Sequence, residues 1–204
     1  MSLLQSIRQP YVGIIFTILI VLGLGVAYIY YSFYYREPEI ALVVGEPYEA
    51  MRQRSSAVIG PDIPGHVWHR IPKTDASLRF IDPKYGFITP TARYLAVSFN
   101  DGIISSVELS PQTEPLLYND AIKIVQDLQN QWSKAGWVLT DRSQLLENTP
   151  ELHEGLRRRN GRFGTNYWRA GDLYQTMLNI RLFRDDKHPD EERYLITLEV
   201  ARAR

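Results

Sequence analysis

Residues 93–109 read RYLAVSFNDGIISSVEL, and this stretch indicates how the chain folds. Its first half alternates with the period of two that is typical of a β-strand, so that one face holds Leu95, Val97 and Phe99 and the other Tyr94, Ala96 and Ser98. Asn100-Asp101-Gly102 then supplies residues that tolerate a positive φ, and Ile103 to Leu109 returns as a second strand. The pattern predicts a β-hairpin.

An amphipathic helix is predicted after this hairpin, over Leu117–Ala135. Its apolar residues recur at helical spacing, at Ala121, Ile124, Val125, Leu128 and Trp132. Asn119 is the predicted N-cap and Gly136 the predicted C-terminal stop. Trp137 to Leu139 would begin a return strand. Thr149-Pro150 predicts a further short helix that runs to about Arg159.

A second hairpin is predicted at the end of the chain. Asp172–Phe183 is rich in β-forming residues, Arg184–Glu192 is a polar loop, and Arg193–Ala201 alternates again. We therefore expect an α+β fold, in which an antiparallel sheet with two hairpins packs on one main amphipathic helix. Residues 66–204 form this domain in the prediction, and residues 36–65 form a connector with a short strand and a brief helix.

The N-terminal segment predicts a membrane anchor. No charged residue occurs from Tyr11 to Tyr35, and 25 residues of helix would span about 37 Å, more than the roughly 30 Å of a hydrocarbon core. Gly25-Val26-Ala27 imitates a cleavage site, but the apolar run continues beyond it, which favours an uncleaved signal anchor. We expect a cytoplasmic tail at 1–10, a transmembrane helix at 11–35, and a single-pass bacterial inner-membrane protein with a periplasmic C-terminal domain.

Composition excludes several functional classes. The 204 residues include 23 basic and 23 acidic side chains, and this zero net charge argues against a nucleic-acid partner. The chain has no cysteine, which excludes disulfides, thiolate zinc sites, iron–sulfur clusters and a cysteine nucleophile.

Catalytic and metal-binding patterns are weak. The sequence contains no G-x-S-x-G, S-x-x-K, phosphate-binding loop or H-E-x-x-H motif. His66 and His69 lie three apart, but Pro64 and Pro72 flank them, and on a strand that spacing points to opposite faces. His153 and His188 stand in polar segments, where solvation is expected. We therefore predict no catalytic residues, no metal site, no cofactor and no enzymatic activity.

Five arginines and three aromatic residues are interleaved between residues 157 and 169. The predicted partner-binding residues within this segment are Arg157, Arg158, Arg159, Arg162, Tyr167, Trp168 and Arg169. Contact with an acidic protein surface is one interpretation, because arginine, tyrosine and tryptophan are enriched in interface hot spots. Nucleic acid and lipid headgroups are two others. A solvated loop, with Tyr167 and Trp168 in the core, is the structural alternative.

Three further segments carry a family resemblance: Phe80-Ile81-Asp82-Pro83, residues 97–102 with 104–107, and Asp190-Glu191-Glu192-Arg193-Tyr194-Leu195. With the overall layout, they resemble single-pass bacterial inner-membrane proteins with a periplasmic α+β domain, including immunity or adaptor proteins associated with type VI secretion effectors. The resemblance implies a membrane-tethered, non-enzymatic domain that binds a protein, such as a toxin effector. The alternative is a structural or assembly subunit of a cell-envelope complex.

Overall fold

The computed structural model describes residues 9–34, 37–63, 65, 68–141, 143–158 and 163–203, and within 9–34 it describes the side chains of 14–26. The chain divides into two compact units, Met1–Glu37 and Pro38–Arg204. The helices are α1 Gln9–Tyr34, α2 Tyr48–Arg54, α3 Tyr118–Lys134 and α4 Pro150–Arg157. The strands are β1 Glu39–Leu42, β2 His69–Arg70, β3 Ser77–Phe80, β4 Phe87–Ile88, β5 Tyr94–Asn100, β6 Ile103–Ser110, β7 Leu116–Leu117, β8 Val138–Leu139, β9 Thr165–Ala170, β10 Tyr174–Phe183 and β11 Arg193–Arg202.

The N-terminal helix α1 requires a correction to the sequence prediction. Across the part of the chain that the structure describes, no helix is both long enough and apolar enough to cross a membrane. By this finding the predicted transmembrane helix at 11–35 is wrong, and so is the single-pass inner-membrane placement with a periplasmic domain.

The predicted connector is part of the folded unit, which begins at Pro38. Strand β1 pairs in parallel with β3, and β3 pairs with β4 in a three-stranded sheet. Ile40, Leu42 and the α2 residues Tyr48 and Met51 are buried in the core. The parallel pair of strands departs from the wholly antiparallel arrangement that we expected. The reason is that β1 and β3 are far apart in sequence and are joined by α2 and a long crossover rather than by a tight turn.

Both predicted hairpins are confirmed in the main sheet, which has the strand order β2-β5-β6-β11-β10-β9-β8, with β7 also paired to β11. Strands β5 and β6 pair in antiparallel register around a turn in which Asp101 and Gly102 have φ values of 49° and 72°. Strands β10 and β11 pair over their full length of ten residues. The α+β prediction with a mainly antiparallel sheet is therefore correct for this unit.

Helix α3 covers one face of the main sheet. Its apolar side is buried in the core, including Ala121, Val125, Leu128 and Trp132. The predicted cap is wrong by two positions: Leu117 is the N-cap and makes no side-chain hydrogen bond there, while Asn119 lies inside the helix. The predicted stop is confirmed, since Gly136 has a φ of 81°.

Three glutamine side-chain amides each donate a hydrogen bond to a backbone carbonyl and accept one from a backbone N–H, as the peptide groups of a neighbouring strand do. The Gln112 Nε2 donates to Tyr194 O at 3.0 Å, and its Oε1 accepts from Ile196 N at 2.9 Å. Gln129 makes the same pair of bonds with Leu146, and Gln131 makes it with Ile88. These contacts satisfy backbone groups at places where strand pairing ends.

Candidate partner-binding surface

Strand β9 places the predicted partner-binding residues Tyr167 and Arg169 on one face of the sheet and Trp168 on the other. Trp168 is buried at 3% exposure, whereas Tyr167 is 49% exposed and Arg169 is exposed. This alternation follows from pairing: β9 lies between β10 and β8, so its side chains alternate between the helix-covered face of the sheet and the opposite one. Tyr167 and Arg169 project from the surface of the folded unit, whereas the Trp168 side chain points into the core.

Burial of Trp168 is explained by its neighbours. Its ring lies 5.7 Å from that of Trp132 in α3, and its Nε1 donates to Asn166 Oδ1 at 3.2 Å. The Asn166 amide in turn donates to Gln129 Oε1 at 2.7 Å. The prediction that Trp168 binds a partner is therefore corrected: this side chain holds β9 against α3.

The arginines at the end of α4 are paired with carboxylates. The Arg157 Nε donates to Glu192 Oε2 at 3.0 Å, and Arg158 Nε donates to Glu154 Oε1 at 3.2 Å. The hydrogen bond to Glu192 raises the pKa of Arg157. The predicted partner-binding residues Arg159 and Arg162 lie outside the described residues. Arg157 and Arg158 therefore do not present two uncompensated positive charges.

A groove of about 940 Å³ crosses the face of the sheet opposite α3, and Tyr167 and Arg169 both line it. We call this face the open face, because its described side chains on β9, β10 and β11 are exposed or half-buried. The groove also holds Val138 from β8, Gln175 and Met177 from β10, and Glu199 from β11. It thus combines apolar surface with hydrogen-bonding and charged groups, as protein interfaces do.

A second depression, of about 720 Å³, lies where α3 and α4 begin. His153 in its wall stacks on Tyr118 with ring centroids 3.9 Å apart, and its Nε2 lies 3.5 Å from Glu192 Oε2. The prediction that His153 is solvated is therefore wrong. Burial raises the pKa of Tyr118, and burial together with Glu192 raises the pKa of Tyr194 to about 12. Both hydroxyls stay protonated near neutral pH and cannot serve there as bases.

Metal-binding groups do not converge in the described part of the chain, where no cluster of three or more histidine, aspartate or glutamate side chains could hold an ion. His69 is exposed on β2, and its suggested partner His66 lies outside the described residues. His188, also expected to be solvated, places its Nδ1 2.8 Å from Asp185 Oδ2, which lowers the pKa of that carboxyl.

Comparisons with models of known protein families, with curated proteins and with solved structures find no match to this chain.

Proposed function

We propose that residues 38–204 form a non-enzymatic protein-binding domain and that the groove on the open face is its contact surface. The observation that carries this proposal is the placement of Tyr167 and Arg169 side by side in a groove of about 940 Å³. Tyrosine and arginine are the residue types that most often dominate binding energy at interfaces. Because β9 is held between two strands, both side chains project from a rigid element, which lowers the entropy cost of binding.

The narrower form of the proposal is an immunity protein or adaptor that binds a type VI secretion toxin. It rests on the sequence resemblance, and the groove adds a surface large enough to hold part of a partner. If it is correct, co-expression of the chain with a toxin encoded by the neighbouring gene protects cells. Protection should be lost in the groove variant described below, and toxicity that persists with the unaltered chain contradicts this form.

The test of the wider proposal compares two double variants of the full chain in the cells that encode it. Tyr167→Ala with Arg169→Ala removes the two groove residues. Trp68→Ala with Arg184→Ala is the matched control and removes an exposed aromatic side chain and an exposed arginine that do not line the groove. Chemical cross-linking followed by quantitative mass spectrometry measures the partner bound to each.

We expect the groove variant to lose cross-linked partner about tenfold or more, the size of a hot-spot effect, and the matched variant to retain it. Thermal unfolding should be close to wild type for both, since all four side chains are on the surface. Equal recovery of partner by the two variants would show that the groove is not the contact surface.

A further inference from the structure

The groove has an apolar strip along its floor. Met177 on β10 lies directly opposite Tyr167 on β9, so that both side chains project from the same face of neighbouring strands. Val138 on β8, 66% exposed, lies opposite Arg169 and extends the apolar surface towards the sheet edge. This strip can bury an apolar side chain of a partner, and such burial supplies affinity in proportion to area.

Charge in the groove is predominantly negative, although the sequence between residues 157 and 169 is rich in arginine. Carboxylates line it at Asp141, Asp172 and Glu199, and Arg169 is the guanidinium that faces them within the described lining. An acidic partner surface, which the arginines predicted, would bring like charges together here. Charge complementarity favours a partner with basic side chains.

The sheet register places Glu199 opposite a second carboxylate, which lies beside the groove and outside its lining. Glu199 on β11 pairs with Glu108 on β6, and both side chains project from the open face. Within the described residues neither carboxylate has an ion-pair partner. Like charges directly opposite on antiparallel strands are destabilising, and a cation between two such carboxylates relieves their repulsion.

We infer that the groove binds a basic segment of a protein partner, with an apolar side chain of the segment on Tyr167 and Met177 and a lysine or arginine between Glu108 and Glu199. This inference rests on the proposed function, and it names the chemistry of the partner. The apolar strip and the glutamate pair lie next to each other, because Met177 is opposite Glu199 in the pairing of β10 and β11. Neighbouring residues of one segment can therefore reach both.

The experiment selects peptides from a random dodecapeptide display library on the immobilised full chain. The selected peptides are then bound to Tyr167→Ala, which reports dependence on the groove, to the glutamate variant Glu108→Lys with Glu199→Lys, and to the loop variant Asp186→Lys with Asp190→Lys. The loop variant changes the net charge as much as the glutamate variant does, on a polar loop whose residues do not line the groove. Fluorescence polarisation at two salt concentrations measures affinity, and thermal unfolding checks that each variant is folded.

We expect the selected peptides to be enriched in lysine or arginine beside an apolar residue. Their affinity should fall about tenfold or more in Glu108→Lys with Glu199→Lys and remain near wild type in Asp186→Lys with Asp190→Lys. It should also weaken with added salt. Groove-dependent peptides without basic enrichment would overturn this inference and leave the proposed function standing. If no peptide depends on the groove, both the inference and the proposed groove contact fail.

Discussion

The two faces of the main sheet differ although the same strands build both. On the face under α3, every second residue along most of β10 and β11 is buried, including Leu178, Ile180, Leu198 and Val200. On the open face the intervening residues are half-buried and include Gln175, Met177 and Glu199. A shift of one position along a strand therefore separates residues that hold the fold together from residues that are available to a partner.

Strand β9 shows this contrast within three residues. Trp168 packs against Trp132 and is closed off from solvent, while Tyr167 and Arg169 on either side of it line the groove. Successive side chains of a strand point to opposite faces of the sheet, so residues that are adjacent in this segment do not form one continuous binding surface. Substitutions at adjacent positions of β9 should therefore differ in their effect on stability.

The largest expected effect is on the covered face. Trp168→Ala should lower the free energy of unfolding by about 4 kcal/mol, because it leaves a cavity against Trp132 and removes the donor to Asn166. Tyr167→Ala should cost less than about 1 kcal/mol, since the side chain is half exposed. Urea unfolding followed by circular dichroism measures both.

The milder Trp168→Phe keeps most of the ring volume and serves if the alanine variant fails to fold. It should cost less than Trp168→Ala and still more than Tyr167→Ala. Equal losses at positions 167 and 168 would contradict the assignment of these side chains to different faces.

Elements with a strong local pattern could be predicted from the sequence. Period-two alternation and turn residues identified β5, β6, β10 and β11, and helical spacing identified α3. Thr149 was correctly expected as the N-cap of α4, where its Oγ1 accepts from Leu152 N at 3.2 Å. In each case the signal lies within about twenty consecutive residues.

Features that depend on distant residues could not be predicted in this way. Strand β9 could not be predicted, because Tyr167, Trp168 and Arg169 do not alternate between apolar and polar residue types although their side chains alternate between the two faces of the sheet. The opposition of Glu108 and Glu199 requires the register of β6 against β11, which is set by pairing across about 90 residues. The arginine cluster suggested positive charge, but Glu154 and Glu192 compensate the two arginines that are described.

An intermediate effect on stability is expected from two glutamine substitutions, one at a buried position and one at a half-exposed position. Gln129 is 4% exposed and bonds to Leu146 and Asn166, so Gln129→Ala leaves several buried polar groups without partners. We expect a loss of about 3 kcal/mol. Gln131→Ala removes a similar pair of bonds to Ile88 at a half-exposed site, where water can replace them, and should cost about 1 kcal/mol or less.

Thermal and urea unfolding of the two glutamine variants provide the measurement, and each variant is the control for the other. A loss at Gln131 as large as that at Gln129 would mean that burial does not set the cost of these bonds. The Leu146 N–H donates a hydrogen bond to Gln129 Oε1. Hydrogen exchange at this N–H should therefore accelerate in Gln129→Ala and remain slow in Gln131→Ala.

The smallest expected effect is on the open face and has the opposite sign. Glu199→Gln keeps the shape of the side chain and removes the like-charge opposition to Glu108, so it should raise the free energy of unfolding by about 0.5 kcal/mol at low salt. The gain should shrink as salt screens the carboxylates of the wild-type protein. Glu114→Gln, at an exposed position outside the sheet, is the matched control and should change stability less. A loss of stability in Glu199→Gln would mean that the carboxylate makes a favourable contact within the folded chain, and the Glu108–Glu199 pair would then not be an uncompensated site for the cation of a basic segment.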